Sequence, residues 1–363
     1  MSRMNFPAKQ DWEACKKRYE AWWAHEDFGR AGVCVWAPIN QSDGMSRPVF
    51  PKAVEARWTD LDFIKRRMDY DLAHTYYGGD AFPIWSAGYP GWDALPVFLG
   101  CDVTLAEETG WWHPIMADGE LASYNPQDIR IDTENKWCKM SKAFRKFAAE
   151  QSADRAVATT GAFGGCGDTL AAMRTSEQLL LDVADDPETV LAFEIRLMEI
   201  WCEHFDECYT DFQSLGQGSA GWFPLWSPRK FYATQCDFAY MISPEVFERC
   251  FLPAIDIQTR FLDHSIHHVD GIGNFHHVDA LCSLPYLQAL QILPGAGKPS
   301  PLAYPDVLKK VQQAGKNLHI AIPPWEVKAA LDMLSSRGLM IDTWAGSEEE
   351  AENIVRYVEK NSR

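Results

Sequence analysis

Positive charge is scarce in this sequence. Its 34 Lys and Arg residues stand against 51 Asp and Glu residues, which leaves a net charge of −17. Nucleic-acid backbones and anionic membranes are bound through basic surfaces, so we expect neither as a partner. Long apolar runs are also missing, since none approaches the roughly 20 residues that cross a bilayer. The start of the chain carries no apolar core of the signal-peptide type.

Cysteine pairs of the CxxC type are absent as well. Ten cysteines are scattered along 363 residues, a pattern typical of reduced thiols that pack as small apolar side chains. Gly/Ser-rich linkers, low-complexity tracts and long repeats are lacking too. Together these absences indicate a cytoplasmic protein, and the simplest organisation is a single domain over residues 1–363.

Short apolar runs alternate with longer helical patterns along most of the chain. This alternation predicts βαβ units and a parallel sheet, and about eight units favour a (β/α)₈ TIM barrel over an open sheet. We expect a helical N-terminal extension over residues 1–30 and a long loop insertion over residues 111–136. Strands are expected at 32–39, 81–85, 101–107, 156–163, 219–225, 265–270, 289–293, 317–322 and 339–343. Helices are expected at 59–72, 187–209, 244–262 and 347–358, among others.

Aromatic side chains are abundant, with 15 tryptophans and an aromatic content of 13%. That much flat surface suits either a large core or a pocket for a planar or apolar ligand. The stretch 226–244 mixes aromatic and polar residues without clear periodicity, and we interpret it as an active-site loop. The candidate substrate- or cofactor-binding residues are Trp36, Trp111, Trp112, Trp226, Gln235 and Tyr240.

A histidine cluster is the strongest site signal, because five of the ten histidines fall between His264 and His277. His268 and Asp270 lie two residues apart on a predicted strand and so project from the same face. An imidazole beside a carboxylate at the end of a barrel strand is either half of a metal site or an acid–base pair. His267 should point the other way, toward the packed helices.

Two further aspartates are candidate catalytic residues. Asp168 follows a glycine-rich stretch, 161–167, which either cradles an anion or is a tight turn with Asp168 as a helix cap. Asp237 lies among aromatic residues, where burial would raise its pKa. The alternative for Asp237 is a surface ion pair with Arg229 or Lys230.

Several segments, taken in order, resemble the uroporphyrinogen decarboxylase superfamily. They are the stretch 164–188 with its Gly-Gly-Cys-Gly-Asp start, Ile-Ser-Pro-Glu at 242–245, His-Val-Asp-Gly at 268–271, and Gln-Ile-Leu-Pro-Gly-Ala-Gly at 291–297. Members of this superfamily are single-domain (β/α)₈ barrels. The resemblance therefore implies the same fold as the strand–helix alternation.

The resemblance also implies a choice between two activities. Decarboxylases of the superfamily hold a tetrapyrrole through paired arginines, and the matching segment here keeps only Arg30. Its methyltransferases bind zinc through His-x-Cys and a later Cys; here His268 matches the histidine, Asp270 replaces the first cysteine, and no cysteine follows Cys282. A His268/Asp270 site would hold a harder divalent metal, or zinc more weakly.

From this resemblance we expect a methyltransferase that moves a methyl group between a small methylated substrate, such as a methoxy compound, and a corrinoid carried by a partner protein. Two alternatives stay open. One is a decarboxylase of a small or tetrapyrrole acid, with Asp168, Asp237 and His268 as protonating groups. The other is a non-catalytic barrel that binds a tetrapyrrole or an aromatic metabolite.

The incomplete arginine motif generates a first prediction. Purified protein should not decarboxylate uroporphyrinogen appreciably, because Arg30 has no second arginine beside it to hold the substrate carboxylates. Chromatography of the porphyrins after incubation measures this. Robust formation of coproporphyrinogen would contradict it.

Overall fold

In a computed structural model of the protein we describe residues 6–39, 44–86, 93–159, 161–213 and 215–363. The strands of these residues are β1 Gly32–Pro38, β2 Thr75–Gly79, β3 Ile84–Trp85, β4 Asp102–Leu105, β5 Gly110–His113, β6 Val157–Ala158, β7 Ser219–Ala220, β8 Trp226–Ser227, β9 Phe231–Gln235, β10 His264–Asp270, β11 Ala289–Leu293, β12 Asn317–Ala321 and β13 Leu339–Trp344. The α-helices are α1 Trp12–Trp23, α2 Val54–Thr59, α3 Leu61–Ala73, α4 Leu95–Phe98, α5 Lys136–Ser152, α6 Asp168–Arg174, α7 Ser176–Asp185, α8 Pro187–Gln213, α9 Pro244–Cys250, α10 Leu252–Phe261, α11 Val278–Ser283, α12 Pro305–Gln313, α13 Val327–Met333 and α14 Glu348–Asn361.

A seven-stranded sheet with the order β2-β1-β13-β12-β11-β10-β9 forms the centre of the molecule. Its neighbours pair in parallel, except that β2 runs antiparallel to β1. The remaining strands form three two-stranded pairs, β3 with β6, β4 with β5, and β7 with β8. The predicted α/β class with a parallel sheet is confirmed. The hydrogen-bonded order among the described residues does not close into an eight-stranded ring, so the TIM barrel stays a prediction.

Strand β9 lies inside the stretch that the sequence pattern indicated as a loop. All but the last of its residues are buried. A strand buried on both faces of a parallel sheet shows no alternation of polar and apolar residues, which is why its periodicity was not visible. Strand β2 is likewise an element that the apolar runs did not reveal. The predicted strand 101–107 is instead the first arm of a small β4–β5 hairpin outside the main sheet.

The predicted helices form with adjusted ends. Asp60 begins α3 by accepting hydrogen bonds from two backbone N–H groups, and the Ser347 side chain does the same for Glu350 at the start of α14. The predicted helix 244–262 is wrong as one unit, because it is divided into α9 and α10 around Phe251. Pro253 lacks a backbone N–H and fits only the first turn of a new helix. In the described parts of the chain, no helix combines the length and apolarity that crossing a membrane requires.

Helix α1 covers the amino-terminal end of the sheet. The Trp22 indole donates to the carbonyl of Gly338, which immediately precedes β13, over 3.0 Å. The Trp23 ring stacks at 4.7 Å on His264, the first residue of β10, and contacts Phe231 at the start of β9. The predicted N-terminal extension therefore closes one end of the core and leaves the carboxyl ends of the strands to form the site.

Asp80, directly after β2, fastens the N-terminal segment to the sheet. Its carboxylate is buried and accepts from Arg30 at 2.8 Å, from Arg18 of α1 at 2.5 Å, and from the backbone N–H of Val33 at 2.9 Å. Burial alone would raise the pKa of Asp80, but the two guanidinium groups outweigh it and hold that pKa below its ordinary value.

We predict that Asp80→Asn lowers the free energy of unfolding by about 3 kcal/mol at pH 7, since it leaves Arg30 without its buried counter-charge. The wild-type carboxylate is ionised above its ordinary pKa of 3.8, so the stabilisation is present there and is lost as pH falls through the lowered folded value. Urea unfolding at several pH values measures both effects. The exposed Asp102→Asn is the control, and an equally small effect of both substitutions would refute the prediction.

Candidate active site

A cavity of about 610 Å³ opens near the carboxyl ends of β9 and β10. Apolar side chains form much of its wall, among them Trp112, Trp222, Phe238 and Met241. Its polar lining residues are Asp168, Thr169, Ser176, Gln235, Asp237 and His268. No Lys or Arg occurs among the described residues that line it. The volume is in the range of sites for small organic ligands.

His268 and Asp270 leave the same face of β10, and the chain brings Asp237 to them from the turn after β9. The Nε2 of His268 lies 3.9 Å from Oδ2 of Asp270. One ligand atom from each of the three residues falls within 4.8 Å of the others. His267 points to the other face, where its ring contacts the Thr234 hydroxyl at 2.9 Å. The geometry thus unites three of the four predicted catalytic residues in one cluster.

Gly271 is required just after this cluster. Its φ of +84° is in the left-handed region, and a Cβ there would lie 2.8 Å from the Tyr240 ring. Tyr240 is 48% exposed and packs over this turn, outside the lining of the cavity. The turn therefore lets β10 end directly beside the cavity.

Asp168, the fourth predicted catalytic residue, also lines the cavity. Its carboxylate accepts from the Gln235 amide at 3.0 Å and from the backbone N–H of Phe238 at 2.9 Å. The glycine-rich turn before it makes a close backbone approach, since a Cβ on Gly165 would lie 2.3 Å from the Gln235 carbonyl oxygen. The N–H of Gly167 is occupied by Glu194 at 2.8 Å. These contacts favour the tight-turn interpretation over an anion cradle.

The electrostatics of the cavity favour protonated acids and neutral imidazole. The surrounding protein, followed by the charges of Asp168 and Asp270, raises the pKa of Asp237 to about 8. Burial lowers the pKa of His268. Asp237 keeps one side open to water at the cavity mouth. Lys230, an alternative partner of Asp237, pairs instead with Asp206 at 2.5 Å.

Three polar residues that the sequence reasoning missed continue from His268 across the sheet. The Nδ1 of His268 bonds the Gln291 side-chain oxygen on β11, and the Gln291 amide nitrogen lies 2.9 Å from Nδ1 of His319 on β12. The Nε2 of His319 is 2.9 Å from Oδ2 of Asp342 on β13. The available signal was at least one polar residue inside each of three largely apolar strands.

The aromatic residues predicted to bind a ligand do not all lie at the cavity. Trp112 lines the cavity, because the segment after β5 is held against α6 by hydrogen bonds from the N–H groups of Ile115 and Met116 to Met173. Trp111 is 59% exposed, on the opposite face of β5. This segment is the start of the predicted 111–136 insertion, which also contains two short 3₁₀ turns.

Two predicted ligand-binding tryptophans lie outside the cavity lining. Trp36 stacks on Trp344 at 5.5 Å, near the ends of β1 and β13. Trp226 is buried in the core at the amino-terminal end, 5.4 Å from Trp12, so it has no access to the cavity. Trp222, which the sequence reasoning did not select, takes the place beside His268, with ring centroids 4.8 Å apart.

Comparison with known proteins identifies a solved structure with a similar fold. No protein-family model and no curated protein sequence matches the chain. Among solved structures it is similar to a methyltransferase from Methanosarcina mazei, with a TM-score of 0.61 and 11% sequence identity. The match covers 95% of this chain and 98% of that one. At this identity the match shows a shared fold along essentially the whole length.

We predict that Asp237→Asn stabilises the protein by about 1 kcal/mol at pH 8, as removal of an unfavourable site charge commonly does. The folded pKa of about 8 lies above the ordinary 3.8, so wild-type stability falls as pH rises between these values. The effect is modest because water screens the open side of the carboxylate. Urea unfolding from pH 4 to 9 should show the difference growing with pH. Asp118→Asn, on an exposed residue, is the control, and a destabilised Asp237→Asn variant would contradict the prediction.

Proposed function

We propose that the protein is a (β/α)₈ barrel of the uroporphyrinogen decarboxylase superfamily and acts as a corrinoid-dependent methyltransferase. The methyl group would move between a small methylated substrate in the cavity and a corrinoid on a partner protein. The shared fold with a methyltransferase over 95% of the chain supports this proposal. The convergence of Asp237, His268 and Asp270 beside an apolar cavity is the observation that carries it.

The three-residue cluster fits a divalent cation. One imidazole nitrogen and two carboxylates form a donor set suited to a harder metal than a thiolate site takes. Oδ1 of Asp270 is buried and has no hydrogen-bond partner among the described residues, as expected of an atom that awaits a ligand. A bound cation would supply Lewis-acid activation of the heteroatom that leaves the methyl group.

A residue of the chain itself could also activate the leaving heteroatom, by donating a proton to it. An ether oxygen is a poor leaving group, so its departure needs an acid beside it. Asp237 remains largely protonated at pH 7 because its pKa is raised to about 8, and it faces the cavity. In the cation-free protein Asp237 would donate its proton to the leaving oxygen. His268 and Asp270 would serve the cation-bound form, because an ether oxygen has no proton to donate to their acceptor atoms.

The lining of the cavity selects an uncharged substrate. Carboxylates bind best to Lys or Arg, and neither occurs among the described lining residues. Trp112, Trp222 and Phe238 offer flat apolar surface instead. We therefore propose a neutral methoxy compound with an aromatic body. The same lining speaks against a decarboxylase of a tetrapyrrole acid.

A corrinoid-bearing partner protein would approach the rim around the carboxyl ends of the strands. Exposed apolar residues follow three of these strands: Met241 after β9, Trp325 after β12 and Trp344 at the end of β13. Trp325 is 79% exposed and Trp344 is 58% exposed. Exposed aromatic residues are common at protein interfaces. The rim is therefore our proposed contact surface for the partner.

We predict that His268→Ala abolishes cation binding and lowers methyl transfer by about 100-fold or more, because it removes the nitrogen ligand and the group opposite the acid. Calorimetric titration with Zn²⁺ and Mn²⁺ measures binding. Transfer is followed from 2-methoxyphenol to reduced free cobalamin by absorbance. His276→Ala is the matched control, since His276 is exposed in the same histidine cluster, contacts the Ile242 carbonyl at 3.3 Å and the His277 ring at 4.1 Å, and does not line the cavity.

Thermal melts show whether each variant is folded. Full transfer by a folded His268→Ala protein would overturn the assignment of the site. Release of carbon dioxide from a carboxylic-acid substrate, with no methyl transfer, would support the decarboxylase alternative. Binding of aromatic compounds or tetrapyrroles without turnover would support the non-catalytic barrel.

A further inference from the structure

A row of buried polar groups leads from His268 on β10 to Asp342 on β13. The register places His268 beside Gln291 and Gln291 beside His319. Asp342 follows, with Oδ2 2.9 Å from Nε2 of His319. Gln291, His319 and Asp342 are 7%, 0% and 2% exposed. Nothing in the proposed reaction uses the last three directly.

The side-chain amide of Gln291 constrains the proton positions of the two imidazole rings. An amide presents an acceptor at one end and donors at the other. Gln291 bridges the Nδ1 atoms of His268 and His319. The ring nitrogen at its oxygen must therefore carry a proton, and the one at its nitrogen must not. In neutral rings, the proton positions of the two histidines are thereby linked.

Asp342 decides which of the two arrangements holds. The 2.9 Å contact between Nε2 of His319 and Oδ2 of Asp342 lacks hydrogen-bond geometry, but a carboxylate offers acceptor atoms, so it favours the His319 proton on the nitrogen that faces it. A neutral His319 then has a bare Nδ1, which takes the Gln291 amide N–H. The Gln291 oxygen is left for His268, whose proton consequently lies on Nδ1. The lone pair of His268 Nε2 is then directed toward Asp270, 3.9 Å away.

Aromatic side chains keep this row out of contact with water. The Trp222 ring lies edge-on to His268 at 4.8 Å, and Phe223 stacks on His319 at 5.4 Å. Phe223 is 7% exposed. Hydrogen bonds excluded from water are stronger and costlier to leave unmade, so the two hydrogen bonds of Gln291 constrain the proton positions of both rings.

We propose that Gln291, His319 and Asp342 are positioning residues that hold His268 with its proton on Nδ1 and its Nε2 lone pair facing the cavity. The inference rests on the proposed function only for the purpose of this arrangement, since a bare Nε2 is what a cation ligand needs. The proton position itself is a property of the protein without cation, substrate or partner.

The test is ¹⁵N spectroscopy of the histidine rings in cation-free full-length protein, in which protonated and bare ring nitrogens have well-separated shifts. His268→Gln identifies the His268 signals. We expect Nδ1–H at His268 in the wild type and its loss in Gln291→Leu. Gln291→Glu should restore it, because a carboxylate accepts on both sides. Asp342→Asn should give mixed forms, since an amide can donate to His319 as well as accept from it.

Thr343→Val is the matched control, because Thr343 is buried next to Asp342 in the chain but on the opposite face of β13. It should leave the His268 shifts unchanged. Once His268→Gln has identified its signals, a wild-type His268 protonated on Nε2 overturns the proposal even if no Gln291 or Asp342 variant folds. So does an Asp342→Asn spectrum identical to that of the wild type at His268.

Cation titrations separate this inference from the proposed function. We expect Gln291→Leu and Asp342→Asn to bind Zn²⁺ or Mn²⁺ about 10–100-fold more weakly than wild type, and Gln291→Glu and Thr343→Val to bind normally. If the spectra follow the expected pattern while the wild type binds no cation, the positioning row stands and the metal proposal fails. If wild type binds a cation and all four variants bind it equally well, the positioning row fails and the metal proposal stands.

Discussion

The parallel register from β9 to β13 is the constraint on which the site depends. Parallel strands lie about 4.8 Å apart, so inward-facing residues at matched positions become neighbours across the sheet. Gln235, His268, Gln291 and His319 occupy such matched positions, one on each of four successive strands. A register shift of one residue would turn every one of these side chains to the other face. The chemistry of the cavity is therefore inseparable from the hydrogen bonding of the sheet.

The two ends of the sheet differ in packing: the amino-terminal end is closed by side chains, and the carboxyl end opens into the cavity. At the amino-terminal end, tryptophans of α1 and a buried Asp80–Arg30 pair seal the core. At the carboxyl end, carboxylates gather without a compensating Lys or Arg among the described cavity residues. Such a gathering is unfavourable for stability, which is typical of sites that bind or react.

Replacement of thiolate by carboxylate would change what the proposed metal site can do. In the resemblance that the motifs suggest, Asp270 stands where a zinc-binding cysteine is expected. An oxygen ligand binds soft metals less tightly and makes binding more dependent on pH. A site of this kind suits activation of an oxygen leaving group better than activation of a thiol.

Some helix ends and strand faces of this protein could be predicted from local sequence, because they depend on the spacing of nearby residues. The spacing of His268 and Asp270 put them on one strand face, and Ser347 marked the start of a helix. Local signals failed where an element is buried on all sides, as in β9, or where a proline restarts a helix, as at Pro253.

The sequence by itself determined the α/β class, the acidic charge and the pairing of His268 with Asp270, because these depend on composition and on residues two apart. Only the tertiary structure decided that Asp237 joins that pair, that Trp222 rather than Trp226 faces it, and that Gln291 lies behind it. These contacts join residues 23 to 46 positions apart in the chain. They arise from the register of separate strands, which no local pattern encodes.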